Sequence, residues 1–232
     1  MASIERVRTG IDTLDMILNG GVPKNSVILL AGGPGTGKTI AAAQFIYNGA
    51  TRFSEKGVFV TFNESSEVFK HLMLALGWDF ETLENQGMIK IFDLLAMKKG
   101  SLETILDMIL EETRVFGAKR IVIDSVTAIT AAFGEKMEIR SSLSVIQKLL
   151  RKLDCTSILI SETPWGEDNL GSGVEEFTAD GIIRFETIPV KGELKRRMVA
   201  LKMRGTNHDM KFYQYTIGAQ DGIIITPYPE MA

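Results

Sequence analysis

The chain has 232 residues, 45% hydrophobic and 24% charged, with a formal net charge of −3, so disordered, collagenous and low-complexity readings are excluded. A lone cysteine, Cys155, excludes an internal disulfide and a cysteine zinc site, and the slight acidity argues against nonspecific duplex binding. No run approaches the ~18–20 apolar residues of a membrane span, and residues 1–10, with Glu5, Arg6 and Arg8, lack a signal peptide's apolar segment. A cytoplasmic protein with no membrane partner is expected. The six prolines are scattered and no Gly/Ser-rich linker interrupts the chain, so one domain over 1–232 is expected.

In chain order, residues 27–31 (VILLA) form a short continuous apolar run, the pattern of a strand buried on both faces. Apolar residues at helical spacing follow over 39–51. Residues 58–62 (VFVTF) predict a strand, 67–76 a helix stopped by Gly77, and 88–92 (MIKIF) another strand. Ser101 is placed to cap a helix running to Phe116, with Gly117 ending it. Residues 121–124 (IVID) predict a strand, 140–153 a helix, and 157–161 (SILIS) a strand. This alternation of strand and helix predicts an α/β fold, a mostly parallel central sheet flanked by helices. After Asp180 the rhythm changes. Short strands at 181–185, 198–203, 212–216 and 223–226 follow without helices, which predicts C-terminal antiparallel strands, and the basic run 191–197 reads as a hairpin turn.

The chemistry concentrates at Gly32-Gly33-Pro34-Gly35-Thr36-Gly37-Lys38-Thr39, which fits G-x-x-x-x-G-K-[ST] between a predicted strand and a predicted helix. Glycines let the backbone wrap an anion, the loop amides point inward, and the helix N-terminus adds partial positive charge. The expected ATP-binding shell is Gly33, Pro34, Gly35, Thr36, Gly37, Lys38, Thr39 and Ile40. Lys38 would reach the β- and γ-phosphates and the Thr39 hydroxyl would bind Mg²⁺. Asp124 ends the run 121–123 at the edge where parallel sheets bind ligands, and is the second expected Mg²⁺ group. Asn63, Glu64, Ser161 and Glu162 end two other predicted strands on the same rim, and a carboxylate there could polarise an attacking water. Glu64 could equally cap the helix that follows.

Beyond the phosphate loop, the chain resembles the KaiC family of RecA-superfamily ATPases. The resemblance rests on Arg8-Thr9-Gly10-Ile11-Asp12-Thr13-Leu14-Asp15, Asn19-Gly20-Gly21-Val22-Pro23, residues 44–49 (QFIYNG), Gly77-Trp78-Asp79, Asp124-Ser125 and residues 173–177 (GVEEF). Its most specific stretch is Leu201-Lys202-Met203-Arg204-Gly205-Thr206-Asn207-His208. The resemblance implies a RecA-like P-loop core in a single-domain prokaryotic, archaeal-type member. It also implies a homo-oligomeric, six-membered ring with ATP between subunits, a signalling or regulatory role, and a regulatory protein partner. Lys202 and Arg204 would then complete a neighbour's site, with Met203, Thr206 and His208 beside the nucleotide. A RecA-like Asp124–Ser125 bond is expected in cis.

One position departs from the family. Two adjacent glutamates usually follow the second strand, the first serving as base for water; here that place holds Asn63, and only Glu64 remains. An amide cannot take up a proton as a carboxylate does. Either Glu64 substitutes, giving catalytic residues Lys38, Glu64, Lys202 and Arg204, or the protein chiefly binds ATP as a scaffold. An autokinase acting near Ser141, Ser142 or Ser144 is an alternative. So is a strand-exchange protein, but residues 131–138 and 165–175 are acidic on balance, and no nucleic-acid partner is expected. Cys155, His71 and the methionines are read as packing or surface residues.

Overall fold

The computed structural model describes residues 4–94, 102–132, 146–164 and 179–227. The apolar run at Val27–Gly32 (β3) is buried at every position, because both faces of its strand are covered. Ile28 and Leu30 face one core cluster, and Val27, Leu29 and Ala31 the other, as the two-residue period of a strand requires.

Before β3 lie β1 (Arg6–Val7), α1 (Asp12–Ile17) and β2 (Val22–Pro23); after it come α2 (Lys38–Phe53), β4 (Gly57–Thr61), α3 (Ser66–Ala75), α4 (Phe80–Asn85) and β5 (Ile89–Asp93). Then follow α5 (Leu102–Phe116), β6 (Arg120–Asp124), α6 (Val126–Ala132) and β7 (Thr156–Glu162). The chain closes with β8 (Gly181–Val190), β9 (Glu193–Met203), β10 (Tyr213–Gly218) and β11 (Gly222–Pro227). One nine-stranded sheet runs in the order β11-β10-β9-β8-β3-β7-β6-β4-β5. Strands β5, β4, β6, β7, β3 and β8 are parallel, and β9, β10 and β11 antiparallel. The parallel sheet and its antiparallel C-terminal edge therefore match the sequence reading.

Several elements differ from expectation. The hairpin turn expected over 191–197 is present but occupies only its first two residues. Only Lys191 and Gly192, both at positive φ, connect β8 to β9, and Glu193–Met203 is a continuous strand. A two-residue turn with left-handed backbone suits the twist of a hairpin, so the strands extend well past the predicted 185 and 198. The short α1, α4 and α6 have no long apolar period and carry no sequence signal strong enough to predict them. Ser65, not Glu64, caps α3; its hydroxyl accepts from Val68 N–H. Within the described part of the predicted helix over 140–153, helix covers 146–150 and turns follow. Residues 140–145, with Ser141, Ser142 and Ser144, lie outside the described residues, as do the loops at 133–138 and 165–175 and the Gly173–Phe177 motif. Cys155 is buried, and burial pushes its thiol up to about 12, so it is an inert packing group. His71 is exposed on α3.

The motifs before the loop act structurally. The buried Asp15 carboxylate accepts from Thr9 N–H (2.6 Å), Thr9 Oγ1 (2.7 Å) and Gly10 N–H (3.3 Å), which folds the lead-in onto α1. Asn48 Nδ2 then donates to Gly10 O (2.8 Å), tying that turn to α2.

A second buried network carries a stability prediction. Arg120, 1% exposed, pairs with Glu55 (Nε···Oε2 2.6 Å), donates to Phe45 O (2.9 Å), and lies against the rings of Phe45 and Phe53. Gly49 leaves the room it occupies, since a Cβ there would stand 2.6 Å from Arg120 Nε. Gly49→Ala is expected to destabilise the fold by ~1–3 kcal/mol through overpacking. Urea unfolding measures this; an unchanged midpoint would mean that Arg120 is free to move.

Candidate active site

The carboxyl ends of the parallel strands converge on one rim. Register places Gly32 beside Glu162, and Thr61 beside both Asp124 and Asp93. From Gly32 the chain enters the loop, and Gly37, at φ +84°, turns it into α2. A Cβ at Gly37 would stand 2.7 Å from Ile217 Cδ1, so packing as well as backbone conformation selects glycine. Helix α2 has no side-chain cap and no acidic residue in its first turn. Its leading N–H groups and dipole are left facing the loop, which is the arrangement that binds an anion.

Within the loop, Thr36 Oγ1 and Lys38 Nζ each donate to Gly33 O at 2.8 Å. Burial pushes the Lys38 ammonium below its ordinary pKa, while Glu162 and, less strongly, Asp124 hold it up. Thr39 Oγ1 donates to Asp124 Oδ2 at 2.7 Å, joining the loop to the end of β6. Burial raises the Asp124 carboxyl and Glu162 adds to the rise, whereas the Thr39 hydrogen bond and Lys38 oppose it. The Asp124–Ser125 peptide is cis, as expected. Pro34 and Gly35 are exposed and Ile40 half-buried, so the expected shell of Gly33 to Ile40 forms one continuous lip.

The Thr39 hydroxyl and Asp124 carboxylate are hard oxygen donors and fit a Mg²⁺ ion, which keeps most of its shell as water and phosphate oxygen. Among the described residues no group of three or more His, Cys, Asp and Glu is arranged to hold a metal by itself. Glu64 is half-buried on the same rim, and burial, with Asp124 nearby, raises its carboxyl. Asn63 is exposed at the end of β4.

The segment 202–208 is not brought to this rim within one chain. Met198 is level with Gly32 through Phe185, whereas Met203 pairs with Gly181, which is level with Ile28. At ~3.3 Å per residue, Lys202, level with Leu29, and Arg204, one residue past the level of Ile28, lie roughly 10–17 Å down the sheet from the loop. Arg204 Nη1 pairs with Asp180 Oδ1 (3.2 Å), which Arg151 also holds (2.7 Å). Thr206 accepts from Arg6 Nη1 (3.0 Å), and His208 Nε2 contacts Ala200 O (2.9 Å). The Met203 side chain is buried beside Gly181, so only its backbone is available to a ligand.

Two residues near the loop escaped the sequence reading. The β8–β9 hairpin overhangs the rim, and Arg196 Nε reaches Gly35 O at 3.4 Å. The buried Tyr215 hydroxyl donates to Thr36 O at 2.5 Å. Neither sits in a motif; only the true length of the hairpin and the fold-back of β10 bring them there.

The profile of the KaiC ATPase family matches residues 7–230. A UPF0273 protein of Methanocaldococcus jannaschii is 36% identical over 97% of this chain and 97% of its own length. The circadian clock oscillator protein KaiC of Thermostichus vulcanus is 35% identical over 99% of this chain, which spans 46% of that protein. The crystal structure of a KaiC-like protein from Pyrococcus horikoshii superposes with a TM-score of 0.89 at 39% identity, covering 97% of this chain and 100% of that one. A profile matched over residues 7–230, full-length relatives and a shared fold place this chain in the KaiC-like ATPase family.

Proposed function

We propose that this protein binds ATP with Mg²⁺ at the Gly32–Thr39 loop and hydrolyses it to ADP and phosphate, in a ring whose neighbouring subunits complete each site. The observation that carries the reading is the uncapped α2 N-terminus with Lys38 inside the loop and Thr39 hydrogen-bonded to Asp124. The loop amides and Lys38 hold the β- and γ-phosphates, and Lys38 offsets charge that builds on the leaving oxygen. Mg²⁺, when bound by Thr39 and Asp124, neutralises phosphate charge. Lys38 Nζ donates to Gly33 O, and phosphate oxygens offer it a stronger, charge-assisted partner. The placement of Lys202 partway down the sheet and of Arg204 at the opposite rim, beside Asp180, supports their use by a neighbouring subunit. Membership of the KaiC-like family supports a regulatory role exerted through a protein partner.

Asn63 favours a second reading, an ATP-assembled scaffold that does not hydrolyse. Phosphate release separates the two. With Mg-ATP the protein is expected to release phosphate steadily, and EDTA is expected to reduce this to background while ATP still protects against unfolding. Binding without release would establish the scaffold.

A further inference from the structure

Asn63 leaves the expected base position without a carboxylate, and two other carboxylates share the rim. Glu64 follows Asn63, three residues past the end of β4, and β4 stands three places from β3 in the order β3-β7-β6-β4. The Glu64 N–H and C=O both bond Thr61 Oγ1 (3.3 and 3.1 Å), which turns the backbone toward α3.

Glu162 ends β7, the strand adjacent to β3, and its Cα is partnered with Gly32, where the phosphate loop begins. Its N–H donates to Thr127 Oγ1 (2.8 Å) on α6, directly after the Asp124–Ser125 bond, so its backbone is fixed against the β6 end as well. The side chain is exposed, and among the described residues no hydrogen bond or ion pair holds its carboxylate. That carboxylate lies close enough to Lys38 and Asp124 to act on the charge of both, whereas Glu64 feels Asp124 and acts on neither. Glu162 thus acts on the lysine that would hold the γ-phosphate more strongly than Asp124 does.

From this geometry we infer that Glu162 is a catalytic residue, orienting the attacking water and accepting its proton in the role that Asn63 cannot fill. The water oxygen bonds to the γ-phosphorus as the bond from that phosphorus to the β–γ bridging oxygen breaks. ADP leaves with the electron pair, and one water proton passes to the Glu162 carboxylate and on to solvent. The inference rests on the hydrolytic reading above.

The test measures ATP affinity and phosphate release for the wild type and for Glu162→Gln, Glu162→Asp, Glu64→Gln and the double variant Glu162→Gln/Asn63→Glu. Glu162→Gln is expected to lower kcat by about 100-fold or more with ATP affinity within about threefold. Glu162→Asp should keep part of the rate, and Asn63→Glu should restore part of it to Glu162→Gln, which a structural role would not allow. Three results overturn the inference. Turnover of Glu162→Gln within about threefold of the wild type, with Glu64→Gln inactive, assigns the water to Glu64. Loss of ATP affinity in Glu162→Gln makes the residue part of binding or folding. A loss of kcat that Asn63→Glu does not relieve at all excludes exchange of the carboxylate between the two positions. If the wild type itself binds ATP and releases no phosphate, it is the hydrolytic reading that fails, and the inference with it.

Discussion

Lys38→Ala is expected to weaken ATP binding by about 100-fold or more while leaving the nucleotide-free fold intact. The side chain is 7% exposed, its ammonium bonds Gly33 O, and no carboxylate forms an ion pair with it among the described residues. A charge-assisted contact to phosphate in such a site is worth ~1.5–3 kcal/mol, and the longer-range attraction to a polyanion adds to it. The resting protein gives up little, because burial already disfavours the ammonium. The sign of that burial is itself measurable. A lysine whose folded pKa lies below its unfolded one binds fewer protons when folded, so its contribution to stability improves as pH rises toward the ordinary lysine value. The wild type should therefore gain stability relative to Lys38→Met on the alkaline side. Calorimetric titration with ATP decides the main point, and unchanged affinity in Lys38→Ala would remove the loop from nucleotide binding.

Arg204→Ala is expected to bind ATP nearly as the wild type does and to lose roughly 10³-fold or more in turnover. The first half follows from distance, since Arg204 stands at the rim opposite its own loop. The second follows if the ring places it against a neighbour's γ-phosphate, where charge develops only in the transition state. The fold should tolerate the change. Asp180 keeps Arg151 at 2.7 Å and still accepts from Val27 N–H at 3.0 Å. Mixing Arg204→Ala with Lys38→Ala subunits is the decisive measurement. Some interfaces would then pair an intact loop with an intact arginine, and part of the activity should return. Mixed rings without any rescue, from variants that each assemble normally, would show that Arg204 is structural and that each site is complete within one chain.

How much of this was legible without coordinates follows from the range of the interactions involved. The phosphate loop, Asp124 and the alternation of strands and helices were readable because each is written in a short window. Glycines at fixed spacing, a lysine before a hydroxyl, and an apolar run ending in a carboxylate need only neighbours along the chain. The lead-in motif was visible as a resemblance, but its work in tying Asp15 to Thr9 and Asn48 to Gly10 was not, since that depends on which surfaces meet. The hairpin's turn was drawn too wide because charged residues at 193–197 read locally as a turn. Alternation across β8 and β9 keeps them in strand: Glu186 takes Arg197 at 2.6 Å, and Met198 is fully buried. Composition, motif and periodicity thus determined the fold class, the Gly-rich loop and the candidate pair Thr39 and Asp124. Strand order decided the rest. It set Glu162 beside Gly32 and Glu64 three strands away, carried Arg196 and Tyr215 onto the loop, and left Arg204 on the opposite rim. These are distances between segments remote in sequence, and only the packing of both sheet faces specifies them.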